Sequence, residues 1–371
     1  MFSRREWLQL SLATAGAALL TSAASCATAL EQTPTTGSAA PSASGASDAV
    51  AKAASATSDG AGTLVLSGDF LPVHDPCIIK AGDTYHLFCT GHQSAKPSLI
   101  PWRTSTDLVN WTSHGAVFDA IPEWAAQAVP GTRGLWAPDI SLYEGRYRLY
   151  YAVSTFGSNH SVIGLVTSAT LDTSAKDFGW RDEGLVIRSD RPDDFNAIDA
   201  NHFVDRDGKH WLCFGSFWGG IKLVPLDAAT GKPAPGDKRI YSLASRPVPK
   251  GAPAALEAPF LIERNGFYYL FVAFDYCCRG VASSYYVVVG RARNILGPYV
   301  GPDGKSMMDG YGALVVQGNR RYRGPGHPAV LRDPKRDYLV YHAYDTEQEG
   351  KPALRISPIV WTGDGWPTVS L

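Results

Sequence analysis

Four carboxylates and one histidine recur along the chain at similar intervals: Asp75, Asp139, Asp199, Glu257 and His327. The steps between them are 64, 60, 58 and 70 residues. Carboxylates gathered at one site can perform acid–base chemistry, because one can stay ionised as a base while another is held protonated as an acid. The regular spacing therefore predicts five similar structural units that bring these groups to equivalent places around one site.

The segments around these residues predict what the units are. Each residue is followed by an apolar run, a polar turn and a second run rich in aromatics, as in a β-hairpin. The turns read Gly82-Asp83, Glu144-Gly145, Asp207-Gly208 and Asn265-Gly266. About sixty residues per unit leaves room for roughly four strands, which is one propeller blade. We expect an all-β, five-bladed β-propeller over residues 64–371, with the site at one end of its central channel.

Composition narrows the function classes. The chain has 371 residues, 45% of them hydrophobic, and a formal net charge of −1. No Lys/Arg run interleaves with aromatics, so nucleic acid is not an expected partner. The sequence contains no P-loop, no G-x-G-x-x-G, no G-x-S-x-G and no zinc-ligand spacing. No organic cofactor is expected, and the chemistry is assigned to isolated carboxylates.

The first 63 residues differ from the rest. Residues 1–26 resemble a twin-arginine export signal, with Arg4-Arg5 before a short Ala/Leu/Gly stretch. Cys26 follows Ala23-Ala24-Ser25, where a lipoprotein carries its lipidated cysteine, and both lipid anchoring and plain cleavage remain open. Residues 27–63 are rich in Ala, Ser, Thr and Gly and are expected to be a flexible linker. The protein is expected to be exported, with membrane contact only through a lipid at Cys26.

The remaining cysteines fall into two groups. Cys77, Cys89 and Cys213 lie in strand patterns and are expected to be small buried residues. Cys277 and Cys278 are adjacent in a polar loop. They can form a vicinal disulfide, but a reduced pair is the expectation.

Three acids at the mouth of a channel indicate glycoside cleavage. One carboxylate activates water and a protonated one serves the leaving oxygen, about 6.5–9.5 Å apart in inverting enzymes. A third acid can raise the pKa of the proton donor and orient it. Aromatic side chains can stack on sugar rings, although each of them can equally be blade core. The candidate aromatics are Trp136, Phe156, Phe217 and Trp218, and the candidate hydrogen-bonding residues are Asn196, Asn201 and Ser216.

Segments spread over the chain carry a family resemblance. They are His74-Asp75-Pro76, Leu135-Trp136-Ala137-Pro138-Asp139, Ser154-Thr155-Phe156-Gly157-Ser158, Asn196-Ala197-Ile198-Asp199, Phe214-Gly215-Ser216-Phe217-Trp218, Glu257-Ala258-Pro259 and Gly324-Pro325-Gly326-His327. Together, from about Asp69 to the C-terminus, they resemble the endo-α-1,5-L-arabinanases of glycoside hydrolase family 43. Some members of that family also carry a counterpart of the Cys277-Cys278 pair.

The resemblance implies inverting hydrolysis of arabinan on a five-bladed propeller. Asp75 would be the general base and Glu257 the general acid, with Asp199 tuning and orienting the acid. His327 would help to hold an ion, usually calcium, mostly through waters. The expected partner is plant cell-wall arabinan or arabino-oligosaccharide, bound by a monomer. The predicted substrate contacts are Asp75, Trp136, Phe156, Gly157, Asn196, Ala197, Ile198, Asp199, Ser216, Phe217 and Trp218.

Two residues depart from the family pattern. Ala200 and Pro328 stand where the family commonly has Pro and Asn, which concerns loop shape and the metal site rather than the acids. An exo-acting α-L-arabinofuranosidase or β-xylosidase on the same scaffold is the main alternative. A glycan-binding propeller without catalysis is the alternative from another class.

Overall fold

The computed structural model describes residues 62–93, 98–247 and 254–371. Within these ranges the secondary structure is mostly β-strand, with one α-helix, α1 (Glu123–Ala128). No helix in the same ranges is long and apolar enough to cross a bilayer. The predicted export signal, Cys26 and all but the last two residues of the predicted linker lie outside the described residues and stay predictions.

In the described residues the strands form six sheets, of which five are arranged as the blades of a propeller and the sixth is a two-stranded hairpin. Nearly all neighbouring strands pair antiparallel; the exception is a short parallel pair in which Ser67 lies opposite Asn110. The first blade contains β1 (Ser67–Gly68), β2 (Cys77–Ala81), β3 (Thr84–Phe88), β5 (Leu99–Ser105) and β6 (Asn110–Phe118), while β4 (Gly91–His92) pairs with the second blade. The second blade adds β7 (Gly134–Tyr143), β8 (Arg146–Val153), β9 (Ser161–Ser168) and β10 (Arg181–Ser189).

The remaining blades follow in chain order. The third contains β11 (Asn201–Val204), β12 (His210–Phe214), β13 (Ile221–Leu226) and β14 (Tyr241–Ala244). The fourth contains β15 (Leu256–Arg264), β16 (Phe267–Phe274), β17 (Tyr286–Ala292) and β18 (Ala313–Gln317). The fifth contains β19 (Tyr322–Arg332), β20 (Asp337–Asp345) and β21 (Lys351–Pro358), and a small hairpin follows with β22 (Val360–Trp361) and β23 (Pro367–Thr368). Three short 3₁₀ helices lie in the connections: Gly280–Ala282, Met307–Asp309 and Thr346–Gln348.

The hydrophobic core is divided among the spaces between blades. Each of five large clusters joins side chains from two neighbouring blades, and together they link all five in a closed ring. Blade strands are thus covered on both faces, which explains why β16 and all of β12 after His210 are continuous apolar and aromatic runs rather than alternating ones. The predicted five-bladed propeller is confirmed.

The start of the domain closes the ring. Leu64 N–H donates to Ile356 O over 2.8 Å, and Val73 N–H donates to Pro352 O over 2.8 Å. The segment before β2 therefore runs beside β21 and completes the fifth blade. Closure of this kind leaves no exposed sheet edge between the first and last blades.

One backbone feature marks the equivalent positions of the five blades. At or just before the inner strand, each blade has a residue with φ between +44° and +57°: Asp75, Ala137, Asp199, Ala258 and His327. Asp75, Asp199 and His327 hold the equivalent place, and Glu257 lies one residue before it. The prediction that Asp139 occupies this place is wrong, because Ala137 does.

The cysteine expectations have two outcomes. Cys77, Cys89 and Cys213 are buried and free, as predicted. Cys277 and Cys278 form a vicinal disulfide in the loop after β16. The expectation of a reduced pair is wrong in this structure.

Candidate active site

Asp75 stands in the first blade with side chains of three other residues around its carboxylate. Thr90 Oγ1 donates to Asp75 Oδ2 over 2.5 Å, His74 Nδ1 lies 2.8 Å from the same oxygen, and His327 Nδ1 lies 3.1 Å from Oδ1. Burial by itself raises the pKa of Asp75, but the charges and hydrogen bonds of His74 and His327 lower this pKa well below its usual value. Asp75 is therefore held ionised.

One further contact holds the backbone of Asp75, and another holds Thr90, its hydrogen-bond donor. Its backbone N–H donates to Nδ1 of His342 over 3.1 Å, and the His342 ring is fully buried. Thr90 Oγ1 accepts the Ala137 N–H over 2.8 Å, which connects the first and second blades. Thr90 thus orients the carboxylate from one side while His342 orients the backbone.

Glu257 lies in β15 of the fourth blade, and its side chain is buried. Ser216 Oγ donates to Glu257 Oε2 over 2.5 Å, and the two residues also form an isolated β-bridge. Burial, together with the charge of Asp75, raises the pKa of Glu257 to about 7, although the hydrogen bond from Ser216 lowers it. Near neutral pH this carboxyl can carry a proton.

Asp199 interacts electrostatically with both Asp75 and Glu257. Its Oδ2 accepts the backbone N–H of Ala258, the residue next to Glu257, over 3.1 Å. Burial raises the pKa of Asp199 well above its usual value, and the charges of Glu257 and Asp75 add to the effect. Asp199 therefore fixes the backbone beside Glu257 and lies near enough to both acids to feel their charges.

The predicted sugar-contacting residues occupy several environments. Phe156 is 83% exposed and Trp218 is 39% exposed, whereas Phe217 is half-buried. Gly157 has φ +78°, and a side chain built there meets no atom within 4 Å, so the Gly157 backbone is open to a ligand. These residues follow β8 and β12 at the end of the propeller where the inner strands β7 and β11 begin.

Four more predicted contacts are buried or partly buried in or beside the core. Asn196 is buried and its Oδ1 has no hydrogen-bond partner among the described residues, which suits the acceptance of a sugar hydroxyl. Trp136 is partly buried, and its Nε1 also has no partner. The side chains of Ala197 and Ile198 are buried, and Ala197 is completely so. The substrate contacts of all these residues stay predictions.

Two polar residues are engaged in the fold instead. Asp139 is buried and accepts hydrogen bonds from the His202 N–H and from Asn201 Nδ2. Asn201 Oδ1 in turn accepts the Leu261 N–H over 2.9 Å. Burial raises the pKa of Asp139 to about 7. Asp139 and Asn201 thus join the second, third and fourth blades, and Asn201 is not free for the predicted contact with sugar.

His327 fits a hydrated ion only in a limited way. Its Nδ1 faces Asp75, so Nε2 is the ring atom left for an ion. Among the described residues, Asp75 supplies the carboxylate that contacts the His327 ring, whereas calcium prefers six to eight oxygens. A calcium ion beside His327 would therefore complete its shell with water, as the resemblance implies.

Sequence reasoning missed three residues of this site: Thr90, His342 and Tyr344. Tyr344 Oη lies 2.7 Å from His74 Nε2, and the His342 ring stacks on His74 with centroids 4.0 Å apart. His342 and Tyr344 alternate along β20, which pairs with the strand that carries His327. Two polar side chains placed two residues apart, on the strand that follows His327, could have identified His342 and Tyr344 from the sequence.

Comparison with known proteins agrees with this geometry. The model of glycosyl hydrolases family 43 matches residues 66–367. The extracellular endo-alpha-(1->5)-L-arabinanase 1 of Bacillus subtilis is 43% identical over 297 residues, covering 80% of this chain and 87% of that protein. The extracellular exo-alpha-(1->5)-L-arabinofuranosidase ArbA of Cellvibrio japonicus is 40% identical, covering 80% and 86%.

A solved structure gives the same result. The family 43 endo-arabinanase from Bacillus licheniformis superposes with a TM-score of 0.75 at 45% identity, covering 82% of this chain and 99% of that one. The match takes in all five blades and the acids Asp75, Asp199 and Glu257. This chain belongs to glycosyl hydrolases family 43 and is a glycoside hydrolase.

Proposed function

We propose that this protein hydrolyses internal α-1,5-L-arabinofuranosidic bonds of arabinan with inversion of configuration. The observation that carries the mechanism is the contrast between two carboxyl groups. Asp75 is surrounded by three side chains that favour its ionised form, whereas Glu257 is buried with one hydrogen-bond donor and keeps its proton to about pH 7. Such a pair can act as general base and general acid together.

Each residue has a definite role in this mechanism. Asp75 takes a proton from the attacking water, and Glu257 gives its proton to the leaving oxygen. Because Ser216 bonds Oε2 of Glu257, Oε1 is the oxygen left to carry that proton toward the substrate. Asp199 holds the backbone next to Glu257 through Ala258 and so orients the acid.

The substrate assignment rests on the relatives and on the surface beside the acids. Arabinan-cleaving relatives cover most of the chain. Exposed Phe156 and Trp218 on two different blades offer stacking faces beyond the acids, which favours a polymer bound along a cleft. Asn196 Oδ1 offers an acceptor without a partner for a sugar hydroxyl.

The exo-acting alternative is also represented among the relatives. The arabinofuranosidase from Cellvibrio is nearly as similar as the endo-acting protein from Bacillus subtilis, so identity alone does not choose between them. Analysis of the products distinguishes endo from exo action. We expect a ladder of oligosaccharides early in digestion of linear and debranched arabinan, and no release from xylan. Arabinose or one short product from the start would replace the endo assignment, and xylose release would favour the β-xylosidase.

Two subsidiary proposals concern the ion and the location. A hydrated calcium ion beside His327 would supply a fixed positive charge near the Asp75 network, with His327 Nε2 facing it. Export is supported by the extracellular relatives and by the twin-arginine-like residues 1–26. Mass spectrometry of the mature protein would distinguish lipidation of Cys26 from cleavage nearby.

A further inference from the structure

A covalent link between neighbouring residues lies close to Asp75. The Cys277–Cys278 disulfide forms a small ring, and Cys278 has φ +66°, a conformation that non-glycine residues rarely adopt. Cys278 is exposed to solvent. The oxidised ring therefore restricts how the Cys278 backbone N–H is presented, and a reductant can reach it.

Three contacts connect this ring to the carboxylate. Cys278 N–H donates to the Tyr344 hydroxyl oxygen over 2.7 Å. Tyr344 Oη lies 2.7 Å from His74 Nε2, and His74 Nδ1 lies 2.8 Å from Asp75 Oδ2. His74 Nδ1–H donates to Asp75, and whether His74 Nε2 or Tyr344 Oη is the donor in their contact depends on the protonation of the His74 ring.

The side chains in this series of contacts, from Cys278 through Tyr344 and His74 to Asp75, have little freedom to move. Tyr344 is 2% exposed, and the fully buried His342 ring stacks against His74 with centroids 4.0 Å apart. Cys278 Sγ itself lies 3.8 Å from His74 Nε2. The sulfur contact is long compared with the two 2.7 Å contacts of the Tyr344 hydroxyl, so a change at Cys278 reaches His74 through that hydroxyl, and His74 in turn contacts the carboxylate.

We propose that the Cys277–Cys278 disulfide and Tyr344 form a positioning unit that holds His74, and through it Asp75, in the reactive orientation. Both act through His74 and do not touch the reacting atoms. The inference rests on the proposed role of Asp75 as general base. It makes activity dependent on the redox state of the pair.

The redox step needs only a thiol reductant. A dithiol such as dithiothreitol passes two electrons and two protons to the disulfide, so the S–S bond breaks, two cysteine thiols form and the reductant closes into its own cyclic disulfide. The Cys278 backbone is then released from the ring and no longer holds its N–H on Tyr344. Cys77, Cys89 and Cys213 are already free, so among the described residues the reductant acts on one bond.

Tyr344→Phe tests whether the Tyr344 hydroxyl, which contacts both Cys278 N–H and His74 Nε2, positions His74. We expect kcat on linear arabinan to fall about tenfold with KM unchanged, because misplacing a catalytic group by about 1 Å can cost up to about 10²-fold. Tyr341→Phe is the matched control. Tyr341 lies on the same strand, is also buried, and bonds Ser357 Oγ over 2.9 Å, so its loss should lower Tm and leave kcat unchanged.

Reduction supplies the second arm. Dithiothreitol should lower the wild-type kcat by a similar factor, reversibly on reoxidation, and should have no further effect on Tyr344→Phe. The double variant Cys277→Ser/Cys278→Ser should show the reduced rate with and without reductant. This arm also decides the matter if Tyr344→Phe does not fold.

Two results would overturn the positioning unit. One is a wild-type kcat in Tyr344→Phe or in reduced wild-type protein; the other is multiplication of the two effects, which would make them independent. Asp75→Ala is measured alongside. If Asp75→Ala stays active, the proposed function fails; if it is inactive while the other changes do nothing, only the positioning unit fails.

Discussion

The Ser216 hydroxyl donates a 2.5 Å hydrogen bond to Oε2 of Glu257. Burial raises the pKa of the Glu257 carboxyl, and this hydrogen bond lowers it. The bond also occupies one of the two carboxyl oxygens. Ser216 therefore sets both the pH range in which Glu257 keeps its proton and the oxygen that carries it.

Ser216→Ala should raise the pKa of Glu257, because a hydrogen bond that favours the ionised form is lost. The basic limb of the pH profile of kcat/KM, which reports loss of the acid's proton, should move to higher pH. The rate at the optimum should fall, since the carboxyl is less well oriented. An unmoved basic limb would separate that limb from Glu257.

Glu257→Gln should lower kcat by about 10²–10⁴-fold, because the amide cannot supply a proton. The amide is nearly isosteric, so binding of an arabino-oligosaccharide measured by calorimetry should remain close to wild type. Near-wild-type turnover of linear arabinan would contradict the assignment of the general acid.

Asp75→Ala should be equally damaging, because the attacking water loses its base. In the wild type, NMR of the first-formed product should show β-anomeric arabinose at the new reducing end. Retained configuration would instead require a carboxylate nucleophile and acids only about 5–5.5 Å apart.

Asp139→Ala should reduce stability without removing catalysis. The His202 N–H and Asn201 Nδ2 would lose a buried acceptor, which costs about 1–3 kcal/mol for each unsatisfied group. Denaturant unfolding measures the loss, and kcat of the folded variant should stay near wild type. A loss of kcat as large as that of Asp75→Ala would return Asp139 to the catalytic group.

Removal of calcium tests the role of His327. If His327 helps to hold the ion, a chelator should lower Tm and activity together, as loss of a ligand of the native state must. His327→Ala should show the chelated behaviour and be insensitive to further chelator. No effect of chelator and no ion by elemental analysis would leave His327 as a hydrogen-bonding neighbour of Asp75.

The sequence by itself determined the architecture. Five similar hairpin units can bury their apolar runs only by packing blade against blade, so the number of blades and the residues Asp75, Asp199, Glu257 and His327 followed from the repeat. The sequence segments Ser154–Ser158 and Phe214–Trp218 also identified the loops after β8 and β12 as candidate substrate contacts.

Tertiary structure decided the backbone register and the partners. Ala137, rather than Asp139, holds the equivalent left-handed position, because a β-bulge between Trp136 and Asp139 shifts the register, and a bulge is not visible in the sequence pattern. The contacts of Asp75 with His327 and His342 join the first blade to the fifth, and only closure of the ring brings these distant parts of the chain together. The opposite protonation of Asp75 and Glu257 depends on those contacts and on burial, so it belongs to the folded protein alone.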